Sequence, residues 1–180
     1  MDEKIKRVKD KIGRWLIEEN IFPSEAIDPQ ALFNFHIQPG NLNVVQKVDW
    51  RDSIVVGTNV LLGPLSAKIN QLDYERKQEF FWDLSLELLK NEAIGDFDIK
   101  PDPPDNVSEV FIKSKPIFYD GLTKDRLMNT IYSMSKIMIM IPCLIAKYAI
   151  PSEEPEAPEE LEAPEAPEAP EAPPYSFYIR

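Results

Sequence analysis

Cysteine and histidine are nearly missing from this chain of 180 residues: Cys143 and His36 are its only examples. One cysteine forms no intramolecular disulfide, and one Cys with one His falls short of a zinc ligand set. Any Ser-His-Asp or Cys-His arrangement must run through His36. That residue lies on the polar side of an alternating strand pattern, an ordinary place for a surface histidine. The six glycines stand apart, at 13, 40, 57, 63, 95 and 121. None belongs to a loop of the kind that cradles phosphates. The sequence therefore leads us to expect no catalytic residue, no metal and no cofactor.

Basic excess is also lacking. The net charge is −11, and residues 151 to 180 carry nine of the 31 acids against one of the 20 bases. Nucleic-acid binding draws on a cationic face, and the one basic cluster (Lys4, Lys6, Arg7, Lys9, Lys11, Arg14) is interleaved with Asp2, Glu3 and Asp10. It reads as the wet side of a helix, and no nucleic-acid partner is expected. Long hydrophobic runs are absent too. Ile137 to Ala146 is uncharged for ten residues, closed by Lys136 and Lys147, whereas a membrane span takes about 20. The start, Met1-Asp2-Glu3-Lys4, has no apolar signal core. A cytoplasmic protein without a membrane partner is the expectation.

What is present is clear periodicity. Ile5, Val8, Ile12, Trp15 and Leu16 predict an amphipathic helix over about 3–19. Phe33, Phe35 and Ile37, then Leu42, Val44, Gln46 and Val48, then Ile54, Val56, Thr58 and Val60 alternate, predicting a three-stranded meander. A short helical turn over 66–71 precedes a helix capped by Asp73, with Phe80, Leu84 and Leu88 on one stripe. Two more strands are predicted around Phe97–Ile99 and Val110–Tyr119, and Pro116 must bend the second or place it at an edge. Thr123 caps a last helix, with Leu122 and Leu127 placed as a hydrophobic staple. Its stripe is Leu127, Ile131, Met134, Met138, Ile141, Ile145 and Tyr148. Pro142 should kink or divide it.

The carboxylates Asp96, Asp98, Asp102 and Asp105 match no calcium loop and read as solvated strand and loop. Asp120 and Asp125 read as turn and cap. From Pro151 the composition changes: eight of the 17 prolines lie beyond residue 150, and Glu-Ala-Pro repeats from Glu162 to Pro173. Such a chain buries too little apolar surface to offset its ordering entropy. Residues 151–174 are expected to be an unfolded, extended linker, ending in an aromatic peptide at 175–180.

The expected class is α+β in the order α-β-β-β-α-β-β-α, a twisted antiparallel sheet of about five strands packed against helices over residues 1–150. This order resembles the type III secretion chaperone fold. The segments Phe80-Phe81-Trp82-Asp83-Leu84 and Tyr119-Asp120-Gly121-Leu122-Thr123-Lys124-Asp125-Arg126-Leu127 resemble an archaeal family of unknown function associated with that fold. The resemblance implies architecture and a peptide-binding or dimerising role, and it carries no catalytic residue.

The functional expectation is a non-catalytic protein-binding module, chaperone-like or adaptor, forming a homodimer. The plainer reading of the methionines in the last helix is core, but six helical turns of apolar stripe exceed what this domain has to cover, which makes Met134, Met138, Ile141, Ile145 and Tyr148 candidate contacts. An alternative is a tether that presents Tyr175, Phe177, Tyr178, Ile179 and Arg180 to a partner. A carboxylate-based enzyme is the remaining one.

Overall fold

A computed structural model divides the chain into two units, Met1–Ile150 and Pro151–Arg180. The described residues, 2–38, 40–100 and 107–149, all belong to the first. The Glu-Ala-Pro segment and the aromatic end peptide lie outside them, as do Asp102 and Asp105.

The elements run α1 (Glu3–Glu18), β1 (Pro23–Glu25), β2 (Ala31–Ile37), β3 (Leu42–Lys47), β4 (Ser53–Leu61), α2 (Pro64–Asn70), α3 (Tyr74–Lys90), β5 (Ile94–Lys100), β6 (Glu109–Ser114), β7 (Ile117–Phe118) and α4 (Lys124–Ala149). The class is α+β, with an antiparallel sheet against helices. Seven strands replace the expected five, in the order β1-β2-β3-β4-β6-β5, with β7 also on β4. The additions are the short β1 and a division of the last predicted strand at Lys115-Pro116.

Local chemistry sets the boundaries. Asp2 accepts from the Lys4 N–H at 3.0 Å, Asp73 from the Arg76 N–H at 2.9 Å, and the Thr123 hydroxyl from the Arg126 N–H at 3.2 Å, satisfying first-turn donors. Asn20, at φ 58°, closes α1: its N–H donates to Ile17 O and the Ile21 N–H donates to Leu16 O, a Schellman arrangement. Pro142 does not divide α4, which is helical over all of Lys124–Ala149.

The sheet has a packed face and an open one. The packed face carries Phe35, Leu42, Val44, Ile54, Val56, Val110 and Ile112, and it meets Ile12 and Leu16 of α1, Phe80, Leu84 and Leu88 of α3, and Leu127, Met134 and Ile141 of α4. All of these are buried. Each fully buried aliphatic or aromatic side chain contributes about 1.5–3 kcal/mol by leaving water. β4 lies at the middle, buried on both faces from Ser53 to Thr58.

Pro116 shows how the strand was solved. β6 pairs with β4 from Gly57↔Lys113 to Leu61↔Glu109, and β7 pairs with the same strand at Ser53↔Phe118 and Ile54↔Ile117. The two ladders differ by one residue, so the chain bulges between them. The proline sits where no ladder donor is asked for.

Candidate protein-binding surfaces

The open face of the sheet ends in a cleft of about 520 Å³. Val55 and Ser53 of β4 form part of its lining, with Trp50 and Arg51 of the β3–β4 turn, Gly95 and Asp96 of β5, Lys113 of β6, Pro116, and Phe118 of β7. Val55 is 6 % exposed and Phe118 51 % exposed, so the cleft has an apolar floor and an aromatic wall left in water. Asp96 and Lys113 make an ion pair at 2.7 Å. The hydrogen bond from Lys113 holds the Asp96 carboxyl below its usual range.

Gly95 shapes this end of the sheet. A Cβ there would stand 2.9 Å from Lys115 Cα and N and from Ser114 O, closer than side-chain atoms approach backbone. It lies where the β5–β6 register shifts. β5 ends the strand order and has no further strand beside it among the described residues, so its outer N–H and C=O groups face outward as an open edge.

A second apolar surface lies on the helical side. Trp82, Leu86 and Leu89 form one exposed row along α3, spaced four and three apart; Tyr132, Ile139 and Cys143 form another along α4. Between the rows is a groove of about 330 Å³ lined by Asp83, Leu86, Glu87, Lys90, Met140, Cys143, Leu144 and Lys147. The helices are tied together at both ends. Arg76 Nη2 donates to Tyr148 O at 3.1 Å and Asn91 Nδ2 donates to Ser133 O at 3.4 Å, which makes α3 and α4 antiparallel. Asp83 accepts from Tyr148 Oη at 2.8 Å and pairs with Lys147 at 2.9 Å. These bonds hold its carboxyl below the usual range, Lys147 contributing most. Burial first, and the bond to Asp83 second, push Tyr148 up to about 12.

Among the described residues no group of three or more His, Cys, Asp or Glu is placed to hold a metal. His36 lies on the open face of β2, its Nε2 3.4 Å from Gln38 Nε2. Asp98 pairs with Lys100 at 3.5 Å.

Residues 8–145 match the model of the family described as "Uncharacterized conserved protein (DUF2299)". The chain belongs to this family. A crystal structure of an uncharacterized protein from Methanothermobacter thermautotrophicus is similar to it at a TM-score of 0.67 and 26% identity, covering 77% of this chain and 96% of that one. Comparison with curated proteins gave no match.

In this DUF2299 chain the stripe read from sequence as a contact surface lies inside. Met134, Ile141 and Ile145 are fully buried, Tyr148 is nearly so, and Met138 is half-buried, with Thr58 Oγ1 3.6 Å from its Sδ. They cover the sheet of their own chain and are not on its surface. Apolar periodicity marks the buried side of a helix, and the exposed side chains Tyr132, Ile139 and Cys143 are out of phase with it. The other five candidates, Tyr175, Phe177, Tyr178, Ile179 and Arg180, lie outside the described residues. The cleft was not found in the sequence, because turn, edge and bulge residues far apart in the chain build it. The one signal was a Trp in a turn and a Phe just after a strand-breaking proline.

By length and composition α4 is long and apolar enough to cross a membrane, and 39% of that window is buried inside the chain.

Proposed function

We propose that this chain is a non-catalytic protein-binding module of chaperone or adaptor type, which receives an extended apolar segment of another protein at the open end of its sheet. The observation that carries the reading is the cleft itself. An apolar floor at Val55, a half-exposed Phe118 and a Trp from a turn meet beside β5, which no further strand flanks among the described residues. Strand addition supplies affinity through main-chain hydrogen bonds, while a pocket beside the edge reads one side chain. Four ionisable side chains line the cleft, Asp49, Arg51, Asp96 and Lys113, and the pairing of the last two favours a rim that orients a peptide over a group that moves protons. Helices laid on one face of an antiparallel sheet also suit the type III secretion chaperone-like reading of the fold.

A displayed library of extended peptides, panned on the full chain, tests this. The expected outcome is a family of sequences with one large apolar residue whose affinity falls at least about tenfold in Trp50→Ala and Phe118→Ala. Both variants leave the packed face of the sheet untouched. No selected peptide, or peptides indifferent to both variants, would sink the reading.

A further inference from the structure

We propose that the α3–α4 face joins two copies of this chain in a two-fold symmetric pair, with α3 of each copy lying across α4 of the other. This uses the helical side of the molecule and does not rest on the peptide-binding reading.

The patch is large for a surface left in water. Trp82 is 67% exposed, Leu89 69%, Ile139 68%, Tyr132 49% and Leu86 46%. The two rows together expose on the order of 600 Å², parted by the groove whose lining includes Asp83, Glu87, Lys90 and Lys147. A standard interface takes about 800 Å² from each partner.

Charge decides which helix meets which. The exposed side of α3 carries Glu75, Glu79, Asp83 and Glu87 with Lys90, while α4 carries Lys136 and Lys147 and has no acid from residue 126 to 149. Setting α3 on α3 would oppose acids to acids. Setting α3 on α4 brings the acidic row to the basic one. Glu79 and Lys136 are exposed and form no ion pair among the described residues, whereas Glu87 pairs with Lys90 at 2.6 Å and Lys147 with Asp83 at 2.9 Å, so each contact between copies joins one of these lone charges to an ion pair of the other.

The antiparallel tie between the helices fixes the rest. A two-fold axis running along the groove carries α3 over α4 and leaves every residue at its own height. Since Arg76 stands beside Tyr148 and Asn91 beside Ser133, the partner's Trp82 and Leu86 come over Ile139 and Cys143. The partner's Glu87 arrives near Lys136, and the partner's Glu79 near Lys147. Apolar meets apolar and acid meets base with the same register, giving a closed four-helix contact. A lipid surface is the poorer occupant, because the acidic row would face anionic headgroups.

Sedimentation equilibrium of the full chain across a concentration series is the test. A monomer–dimer equilibrium is expected, weakened at least about tenfold by Ile139→Asp. Glu87→Lys and Lys136→Glu should each weaken it as well, and the two together in one chain should restore it. The exposed Cys143 gives a second readout, since a short bis-maleimide should link two copies of the wild type and fail on I139D. Circular dichroism controls for folding, and residue 139 is on the surface. A monomer at every concentration overturns the proposal. So does a dimer indifferent to I139D and to the charge swap, or I139D-sensitive binding to anionic vesicles without self-association.

Discussion

The backbone N–H of Val56 donates to the side-chain Oγ of Ser114 at 3.0 Å, in the middle of a sheet where a ladder carbonyl would ordinarily accept. The register slip between β6 and β7 takes that carbonyl away, and the serine hydroxyl stands in for it. The same hydroxyl lies 2.9 Å from Lys115 O, to which it donates. Ser114 and Val56 are both buried, so water does not replace either bond. Ser114→Ala leaves a buried N–H unsatisfied and should cost about 1–3 kcal/mol. The urea midpoint should fall with an unchanged slope. An unaltered midpoint would mean the bulge has relaxed into a regular ladder.

Asp83 and Tyr148 give the fold a pH signature at both ends. Asp83 has a lowered carboxyl pKa, so its contribution is present above the ordinary carboxylate range and is lost as pH falls through the lowered value. Tyr148 has a raised pKa, about 12. Its contribution is complete below the free phenol value of about 10 and fades as pH climbs toward 12. Tyrosinate absorbance followed during alkaline titration should show one late-ionising group fewer in Tyr148→Phe than in the wild type. The same variant should lose the part of the alkaline stability decline that lies between these values. Tyr119 is the other tyrosine held high, chiefly by burial, so a late group remains in either case, and a late titration unchanged by Tyr148→Phe would assign the signal elsewhere.

Gly95→Ala tests how tightly the cleft end is built. The added methyl carbon would meet three backbone atoms at 2.9 Å, and backbone cannot swing aside as a side-chain end can. A loss of about 1–3 kcal/mol is expected, typical of overpacking, together with weaker protection of the β5–β6 amides in hydrogen exchange. Equal stability and unchanged protection would show that β5 does not hold this register in solution.

Sequence periodicity reached the fold well, because burial is what it records. Ile12 and Leu16, Phe80, Leu84 and Leu88, and the alternations of β2, β3 and β4 lie where their spacing put them, except that Val48 falls past the end of β3 and is exposed. The caps Asp73 and Thr123 hold because a short polar side chain before an apolar run has one local geometry to satisfy. Two things were out of reach. β1, only Pro23–Glu25, exists through its pairing with β2 and has no pattern of its own. The cleft depends on a one-residue slip at Lys115-Pro116 and on a turn that carries Trp50 to it, and neither leaves a period. Pro116 announced a disturbance, but its direction was set by β4.

The same logic misplaced the contact residues of α4, and it yields a paired experiment. Met134 and Ile139 are of similar size and sit on one helix, yet the first is fully buried and the second is 68% exposed. Met134 packs in the cluster that includes Ile141 and Leu127 beneath the sheet, so Met134→Ala removes buried atoms and leaves a cavity, at a cost of about 2–5 kcal/mol. Ile139→Ala removes atoms already in water and should stay within about 0.5 kcal/mol for the separate copy. Denaturation at low protein concentration isolates that comparison. At high concentration Ile139→Ala should lose stability as well, because the second copy would no longer be gained. A concentration-independent Ile139→Ala penalty as large as that of Met134→Ala would place Ile139 in the core of its own chain and undo the assignment of the two faces.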